Sequence, residues 1–106
     1  MGWMADETGL DKTSANYVAL TPLSHLRRAA HVFADRLAVV YGTHRVNYAQ
    51  YYERCTRLAS ALAARGVASG EVVATLIPNL PAQAEAHFGV PACGAILNTI
   101  LSLIHI

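Results

Sequence analysis

The two cysteines of this chain, Cys55 and Cys93, are its most reactive side chains, and they stand far apart. Neither has a second cysteine or an ordered histidine spacing beside it, so the sequence predicts neither a zinc site nor a redox pair. We interpret both as buried free thiols. Unpaired thiols and a start without an apolar signal core predict a cytoplasmic protein.

The remaining titratable side chains are isolated. His25 and His31 lie far from any candidate base or ligand, so we expect both on the surface. Glu85 and His87 stand two positions apart in a predicted helix, and side chains at this spacing face different directions. They are not expected to form a catalytic pair. Lys12, the only lysine, falls in an N-terminal stretch without hydrophobic periodicity.

Phosphate-binding motifs are missing from the sequence. It contains neither G-x-G-x-x-G nor G-x-x-x-x-G-K-[ST], the loops whose backbone donors cradle a phosphate. Asn79, Leu80 and Pro81 follow an apolar run in the way that a ligand loop follows a strand of a parallel sheet, but the turn is not rich in glycine. We therefore predict no catalytic, cofactor-binding or metal-binding residue in this chain.

Charge gives no general attraction to polyanions. The net charge is +1, with 8 Lys and Arg against 7 Asp and Glu, so no nucleic-acid partner is predicted. All the arginines lie between residues 25 and 65, where only Asp35 and Glu53 oppose them. Solvated helix faces are the simpler interpretation, and a surface that docks another part of a larger protein is the alternative.

Residues 86–106 contain no Asp, Glu, Lys or Arg and are long enough to cross a membrane. Polar and helix-breaking residues interrupt the stretch, and a strand, helix and strand explain its first half better. We predict no membrane span. These interruptions are Pro91, Asn98, Ser102 and His105.

The elements that position these residues centre on residues 71–99. The β-branched apolar run 72–77 predicts a strand buried on both faces of a parallel sheet. Pro81 suits the first turn of a helix, which is expected to run to about Gly94, with a kink at Pro91. The run 95–99 then predicts a parallel second strand. The chain is expected to fold around one sheet.

The upstream elements are predicted from capping and turn signals. Residues 1–20 are expected to form an extended arm, pinned in part by Trp3 and Tyr17. Thr21 and Pro22 predict a helix start. The buried stripe of this helix is predicted to comprise Leu23, Leu26, Ala30 and Phe33.

A hairpin and a second helix should follow. Residues 37–41 and 45–46 are predicted to pair across a turn at residues 42–44. Asn47 and Gln50 match a capping box, so a helix should begin at Tyr48 and end before Gly66. Its inner face is predicted as Tyr51, Cys55, Leu58, Ala59 and Leu62, and its wet side as Tyr52, Glu53, Arg57 and Arg65.

Several stretches together resemble one known family. Asn16 to Leu23 (NYVALTPL), Ala38 to Gly42 (AVVYG), Ile77 to Pro81 (IPNLP) and Glu85 to Gly89 (EAHFG) are similar to the N-terminal segment of the AMP-forming acyl-CoA synthetases. Tyr48, Cys55 and the small and apolar residues that follow Cys55 are similar to the same segment. Within the adenylate-forming superfamily, the short- and medium-chain fatty acyl-CoA ligases are the most similar, over residues 9–100.

This resemblance implies an enzyme in which a carboxylic acid, such as a fatty acid, attacks ATP in the presence of magnesium. The acyl-adenylate then passes its acyl group to coenzyme A. The phosphate loop, the nucleotide contacts and the catalytic lysine of the family would lie beyond this sequence. We therefore expect the chain by itself to be inactive and to bind no cofactor, with the remainder of the ligase chain as its partner.

The resemblance also sets the expected fold and domain organisation. The fold class is α/β: a fragment of the large N-terminal domain, with a β-hairpin, a parallel strand-helix-strand unit and two further helices. Residues 1–20 would be the arm, and residues 21–100 a partial AMP-binding domain. Residues 101–106 resemble the translation of a sequencing adapter. A small non-catalytic α/β binding or protein-interaction module is the alternative function.

Overall fold

The structure is a computed structural model that describes Gly9 and residues 11–100. Its regular elements follow in chain order as α1 (Pro22–Val32), β1 (Leu37–Tyr41), β2 (His44–Asn47), α2 (Tyr48–Ala64), β3 (Val72–Thr75), α3 (Pro81–Ala92) and β4 (Ile96–Thr99). The expectations for Trp3 and for residues 101–106 lie outside the described residues.

The first two helices begin at the predicted caps. The Thr21 side chain accepts a hydrogen bond from the Ser24 N–H at 3.3 Å, and Pro22 opens α1. At the start of α2, Asn47 Oδ1 accepts from the Gln50 N–H at 2.8 Å, while Gln50 Oε1 accepts from the Asn47 N–H at 3.0 Å. Both bonds satisfy donors that a helix start otherwise leaves unpaired, which confirms the predicted capping box.

The hairpin is confirmed, with a tighter turn than expected. Strands β1 and β2 are antiparallel, and Tyr41 pairs with His44. His44 therefore belongs to β2, and the turn contains only Gly42 and Thr43. Gly42 has φ +59°, which suits a two-residue turn and is easy for glycine.

The parallel strand-helix-strand unit is also confirmed. Strands β3 and β4 pair in parallel, with Val72 opposite Ile96 and Thr75 opposite Thr99, and α3 connects them. Gly94 turns the chain into β4 with φ +85°. Pro91 lies one residue before the end of α3, so its missing N–H removes one helical hydrogen bond in the last turn.

Two expectations about the sheet are wrong. The described strands form two separate two-stranded sheets, β1–β2 and β3–β4, instead of one. In addition, β3 is only half-buried, and on one face alone: Val73 and Thr75 are partly covered, while Val72 remains 60% exposed and Ile96 beside it 56%. A continuous apolar run indicates that both faces of a strand can be covered, but the described part of this chain places a covering layer over only one of them.

The core consists of two clusters that α2 and α3 connect. Leu26, Val46, Tyr51 and Cys55 form the first, and Ala86, Val90 and Ala95 form the second. Helix α3 contacts both, through Ala84 and Phe88 on one side and Ala86 and Val90 on the other.

Two single positions also differ from the prediction. Phe33 caps α1 and is 41% exposed, so it does not belong to the buried stripe. Tyr52, predicted on the wet side of α2, packs half-buried against the first cluster. An aromatic ring can contribute its edge to a core while its hydroxyl stays near water, which the period of the helix alone does not reveal.

Candidate functional site

An apolar groove lies between β1 and α3, next to the loop that follows β3. We call it the β1–α3 groove, and its volume is about 640 Å³. Among the described residues, no Lys, Arg, Asp or Glu lines it. Its lining residues are Pro22, Val39, Val40, Tyr41, Tyr51, Asn79, Leu80, Pro81, Gln83, Ala84, His87 and Phe88.

The groove includes the loop that the sequence indicated as a possible ligand loop. Asn79, Leu80 and Pro81 lie at its wall, after the carboxyl end of β3. The Leu80 N–H donates to the Pro78 carbonyl at 2.7 Å, which makes a tight turn before α3. Leu80 precedes the helix without a side-chain cap, so Pro81 begins α3 where a missing N–H costs little.

Gln83 is the buried polar residue of this region, and no signal in the sequence singled it out. Its side chain is 4% exposed, and its Oε1 accepts from the Thr75 hydroxyl at 3.0 Å, which ties the end of β3 to α3. Its Nε2 is buried and has no hydrogen-bond partner among the described residues. A buried amide donor left unpaired costs about 1–3 kcal/mol.

The side chains of His87 and Glu85 point in different directions, as their spacing in the helix predicted. His87 Nδ1 lies 2.7 Å from the Gln83 carbonyl oxygen. Because a carbonyl only accepts, Nδ1 carries a proton, and in the neutral ring Nε2 is left as an acceptor. Glu85 instead accepts from Arg54, with Oε1 2.9 Å from Nε and Oε2 3.4 Å from Nη2. The two side chains therefore form no acid-base pair.

The floor of the groove is built by Tyr51. Its hydroxyl donates to the Ala84 carbonyl at 2.6 Å. Its ring meets Phe88 edge to face, with centroids 5.7 Å apart and planes at 84°. Burial is the largest cause that raises the pKa of the Tyr51 hydroxyl above its usual range. Tyr51 therefore stays protonated at neutral pH and serves as a hydrogen-bond donor.

Cys55 lies one helical turn after Tyr51 and is 2% exposed. Burial, followed by the negative charge of Glu85, raises the pKa of the Cys55 thiol to about 11. A thiol that stays protonated at neutral pH is a poor nucleophile, so the structure assigns Cys55 to the core. This confirms the sequence interpretation for Cys55. Cys93 is only half-buried, and its Sγ lies 3.1 Å from the Val90 carbonyl oxygen.

The other candidate residues stay apart from the groove floor and from one another. His25 and His31 are exposed on α1, as expected. The Lys12 ammonium lies 4.5 Å from the centroid of the Tyr17 ring in the N-terminal segment. Among residues 11–100, no three His, Cys, Asp or Glu side chains come together in a way that could hold a metal ion.

In the described ranges, none of the helices combines the length and the apolar character needed to cross a bilayer. The groove itself offers apolar walls and the imidazole ring of His87. Such a set can bind a partner through shape and hydrogen bonds.

Comparison with solved structures defines the class of the fold. The N-terminal subdomain of NpsA from Klebsiella oxytoca matches 76% of this chain with a TM-score of 0.73 at 22% sequence identity. A protein from Rhodopseudomonas palustris assigned as a long-chain fatty acid CoA ligase matches the same share with a TM-score of 0.73 at 36% identity. The chain thus has the fold of the N-terminal subdomain of adenylate-forming enzymes.

Sequence comparison gives the family. The family model described as AMP-binding enzyme matches residues 26–104, and the chain belongs to that family. It is 53% identical over 95 residues to a peroxisomal acetate/butyrate–CoA ligase from Arabidopsis thaliana. It is 48% identical over 91 residues to a peroxisomal trans-cinnamate:CoA ligase from Petunia hybrida. These matches cover 90% and 86% of this chain but only 17% and 16% of the two relatives.

Proposed function

We propose that this chain is the N-terminal part of an acyl-CoA synthetase. The complete enzyme would activate a carboxylic acid with ATP to an acyl-adenylate, with release of pyrophosphate, and then transfer the acyl group to the thiol of coenzyme A, with release of AMP. The observation that supports this most strongly is the 53% identity to a CoA ligase across 90% of the chain.

The substrate we propose is a small or medium carboxylic acid. The similar proteins are named for acetate, butyrate and cinnamate, which share a carboxylate on an uncharged carbon skeleton. The described lining of the β1–α3 groove contains no Lys or Arg that would hold a carboxylate, so we assign no substrate contact to it.

ATP, magnesium and coenzyme A are proposed as ligands of the complete enzyme. The described residues do not fit them: they contain no cluster of metal ligands and no glycine-rich phosphate loop. The only lysine is Lys12, far in the sequence from the groove loop. Catalytic groups are therefore expected in the remainder of the chain, and no reaction step is assigned to residues 11–100.

The role we propose for this part is structural, with the remainder of the ligase chain as its partner. The exposed face of the β3–β4 sheet supports this role: Val72 and Ile96 are open to solvent, and Leu76, directly after β3, is 71% exposed. Adjacent apolar side chains on a parallel sheet normally lie beneath another layer. Later elements of a longer polypeptide would supply that layer.

The decisive experiment is to read the gene across the codons for residues 98–106 from unfragmented DNA and to express whatever open reading frame follows. We expect a polar continuation after Ile100, a downstream loop rich in Ser, Thr and Gly with a lysine, and carboxylate-dependent thioester formation by the product. A stop codon directly after Ile106 would instead support the small binding module.

We further propose a cytoplasmic location for the enzyme, from its unpaired thiols. The relatives described as peroxisomal make the peroxisome the competing location. A fluorescent fusion at the N-terminus of the complete protein, which leaves a C-terminal address free, separates the two. Diffuse signal supports the proposal, and puncta that overlap a peroxisomal marker contradict it.

A further inference from the structure

The free edge of β1 opens into the β1–α3 groove. Val39, Val40 and Tyr41 all line the groove, and none of the β2 residues does. Consecutive strand residues point to opposite faces, so a cavity that touches all three must reach the edge of the strand. This edge is the one that β2 leaves unpaired, because β1 is hydrogen-bonded to β2 alone among the described strands.

The register of the hairpin identifies which backbone groups face that edge. Tyr41 and His44 flank the two-residue turn, where the flanking residues form a hydrogen-bonded pair. The next pair, Val40 with Arg45, is therefore a non-hydrogen-bonded pair, and the N–H and C=O of Val40 point away from β2. The Val40 side chain is 54% exposed.

An unpaired apolar strand edge is uncommon in a finished fold, because it presents donors and acceptors to any other chain. Nothing on β1 protects it: the strand is Leu-Ala-Val-Val-Tyr, with no charge and no proline. Its bulge lies between Leu37 and Val39, so the part of the strand that lines the groove, residues 39–41, keeps regular pairing with β2.

Gln83 is the almost fully buried polar residue that lines the same groove. One amide atom of Gln83 is satisfied by Thr75 and the other has no partner among the described residues. Rotation of the amide by half a turn exchanges the two atoms, so the missing partner has to be an acceptor in one orientation and a donor in the other.

We propose that the β1–α3 groove receives an extended segment of the same polypeptide, from its continuation beyond Ile100. This segment adds a strand to the free edge of β1, pairs with the backbone of Val40, and lays apolar side chains against Tyr41, Leu80 and Phe88. The proposal rests on the proposed function, because the curated relatives are about six times the length of the part that matches.

Hydrogen exchange in the complete enzyme tests the added strand directly. The Val40 amide should exchange at least about a hundredfold more slowly than the Thr43 amide in the adjacent turn. The Tyr41 amide, which pairs with β2, is the internal reference for a protected site. Exchange of Val40 as fast as that of Thr43 overturns the proposal, and so does protection of Val40 that appears only after a carboxylic acid is added.

Cross-linking identifies the occupant. A photoreactive p-benzoylphenylalanine at position 41 in the complete enzyme should react with one downstream segment of the same chain, in monomers resolved by size. Cross-links to a second copy, or no protein cross-link, contradict the proposal.

Substitution at Val40 provides a third measurement. Val40→Pro removes the outward N–H and should lower the melting temperature of the complete enzyme far more than Val40→Thr, which keeps it. Equal effects of the two substitutions contradict an added strand.

Thioester formation is measured on the same preparation, so that the two hypotheses are scored separately. An active enzyme with an unprotected Val40 retains the proposed function and loses the added strand. An inactive protein with a protected Val40 amide retains the added strand and loses the proposed function.

Discussion

The Tyr51 hydroxyl donates to the Ala84 carbonyl at 2.6 Å and joins α2 to α3 across a part-buried contact. The two residues are 33 positions apart in the chain. The same ring packs edge to face on Phe88, so Tyr51 fixes both the separation and the rotation of the two helices. These helices connect the two core clusters, so this contact holds the hairpin side of the molecule to the parallel unit.

Tyr51→Phe should lower the free energy of unfolding by about 1–2 kcal/mol, because it removes the hydrogen bond and keeps the ring. Denaturant unfolding followed by circular dichroism measures the change. Tyr41→Phe is the matched control, since Tyr41 is about half exposed and has no side-chain hydrogen bond among the described residues. Equal effects of the two substitutions would show that the Tyr51 hydroxyl contributes nothing specific.

Gly89→Ala should destabilise the chain by about 1–3 kcal/mol, although alanine is normally the better helix former. A Cβ at position 89 would lie 2.6 Å from Leu58 Cδ2 and 2.9 Å from Leu58 Cγ, so the Leu58 side chain would have to move or α2 and α3 would have to separate. Leu58→Ala removes those atoms. The prediction is therefore that Gly89→Ala costs much less in the Leu58→Ala background, as measured by a double-mutant cycle. Additive effects would contradict the close approach.

Cys55 should resist alkylation in the folded chain, because its thiol is 2% exposed and its pKa is raised to about 11. The half-buried Cys93 should react faster at pH 8. Single-thiol variants, Cys93→Ser and Cys55→Ser, separate the two rates by mass spectrometry. Equal rates for the two thiols would contradict the packing around Cys55.

The same pKa gives a pH dependence of stability. The raised pKa means that the unfolded state loses the Cys55 proton first, near pH 9, so folding stability is complete below that pH and declines as the pH rises to about 11. Cys55→Ala should reduce this decline, as measured by unfolding at pH 7 and at pH 10. A decline of the same size in the variant would assign the alkaline loss to other groups.

The 106-residue chain by itself should catalyse neither carboxylate-dependent ATP–pyrophosphate exchange nor thioester formation, because no phosphate loop or charge-balancing lysine is associated with its groove. The complete enzyme, assayed in parallel, is the positive control. If the chromatographically pure chain catalysed ATP–pyrophosphate exchange above a buffer blank, the prediction would be wrong. A catalytic site would then have to lie among residues that we describe as structural.

Local signals in the sequence determined most of the elements. The helix starts could be predicted without knowledge of the fold, because each depends on residues close together in the sequence. The side chains of Thr21, Asn47 and Gln50 accept from backbone donors that would otherwise be unpaired, and Pro22 and Pro81 have no backbone donor to satisfy. The parallel pairing of β3 and β4 followed from two apolar runs and a helix of suitable length between them. The family, too, was recognisable from short stretches of sequence.

Only the tertiary structure decided which surfaces are covered and which polar atoms are satisfied. Whether Val72 and Ile96 are buried depends on layers contributed by distant elements, and periodicity does not contain that information. Gln83 could not be identified as buried, because a glutamine in the first turn of a helix is equally suited to solvent. Its burial results from the Thr75 hydroxyl and the packing of α3 against the sheet, contacts that exist only once the chain has folded.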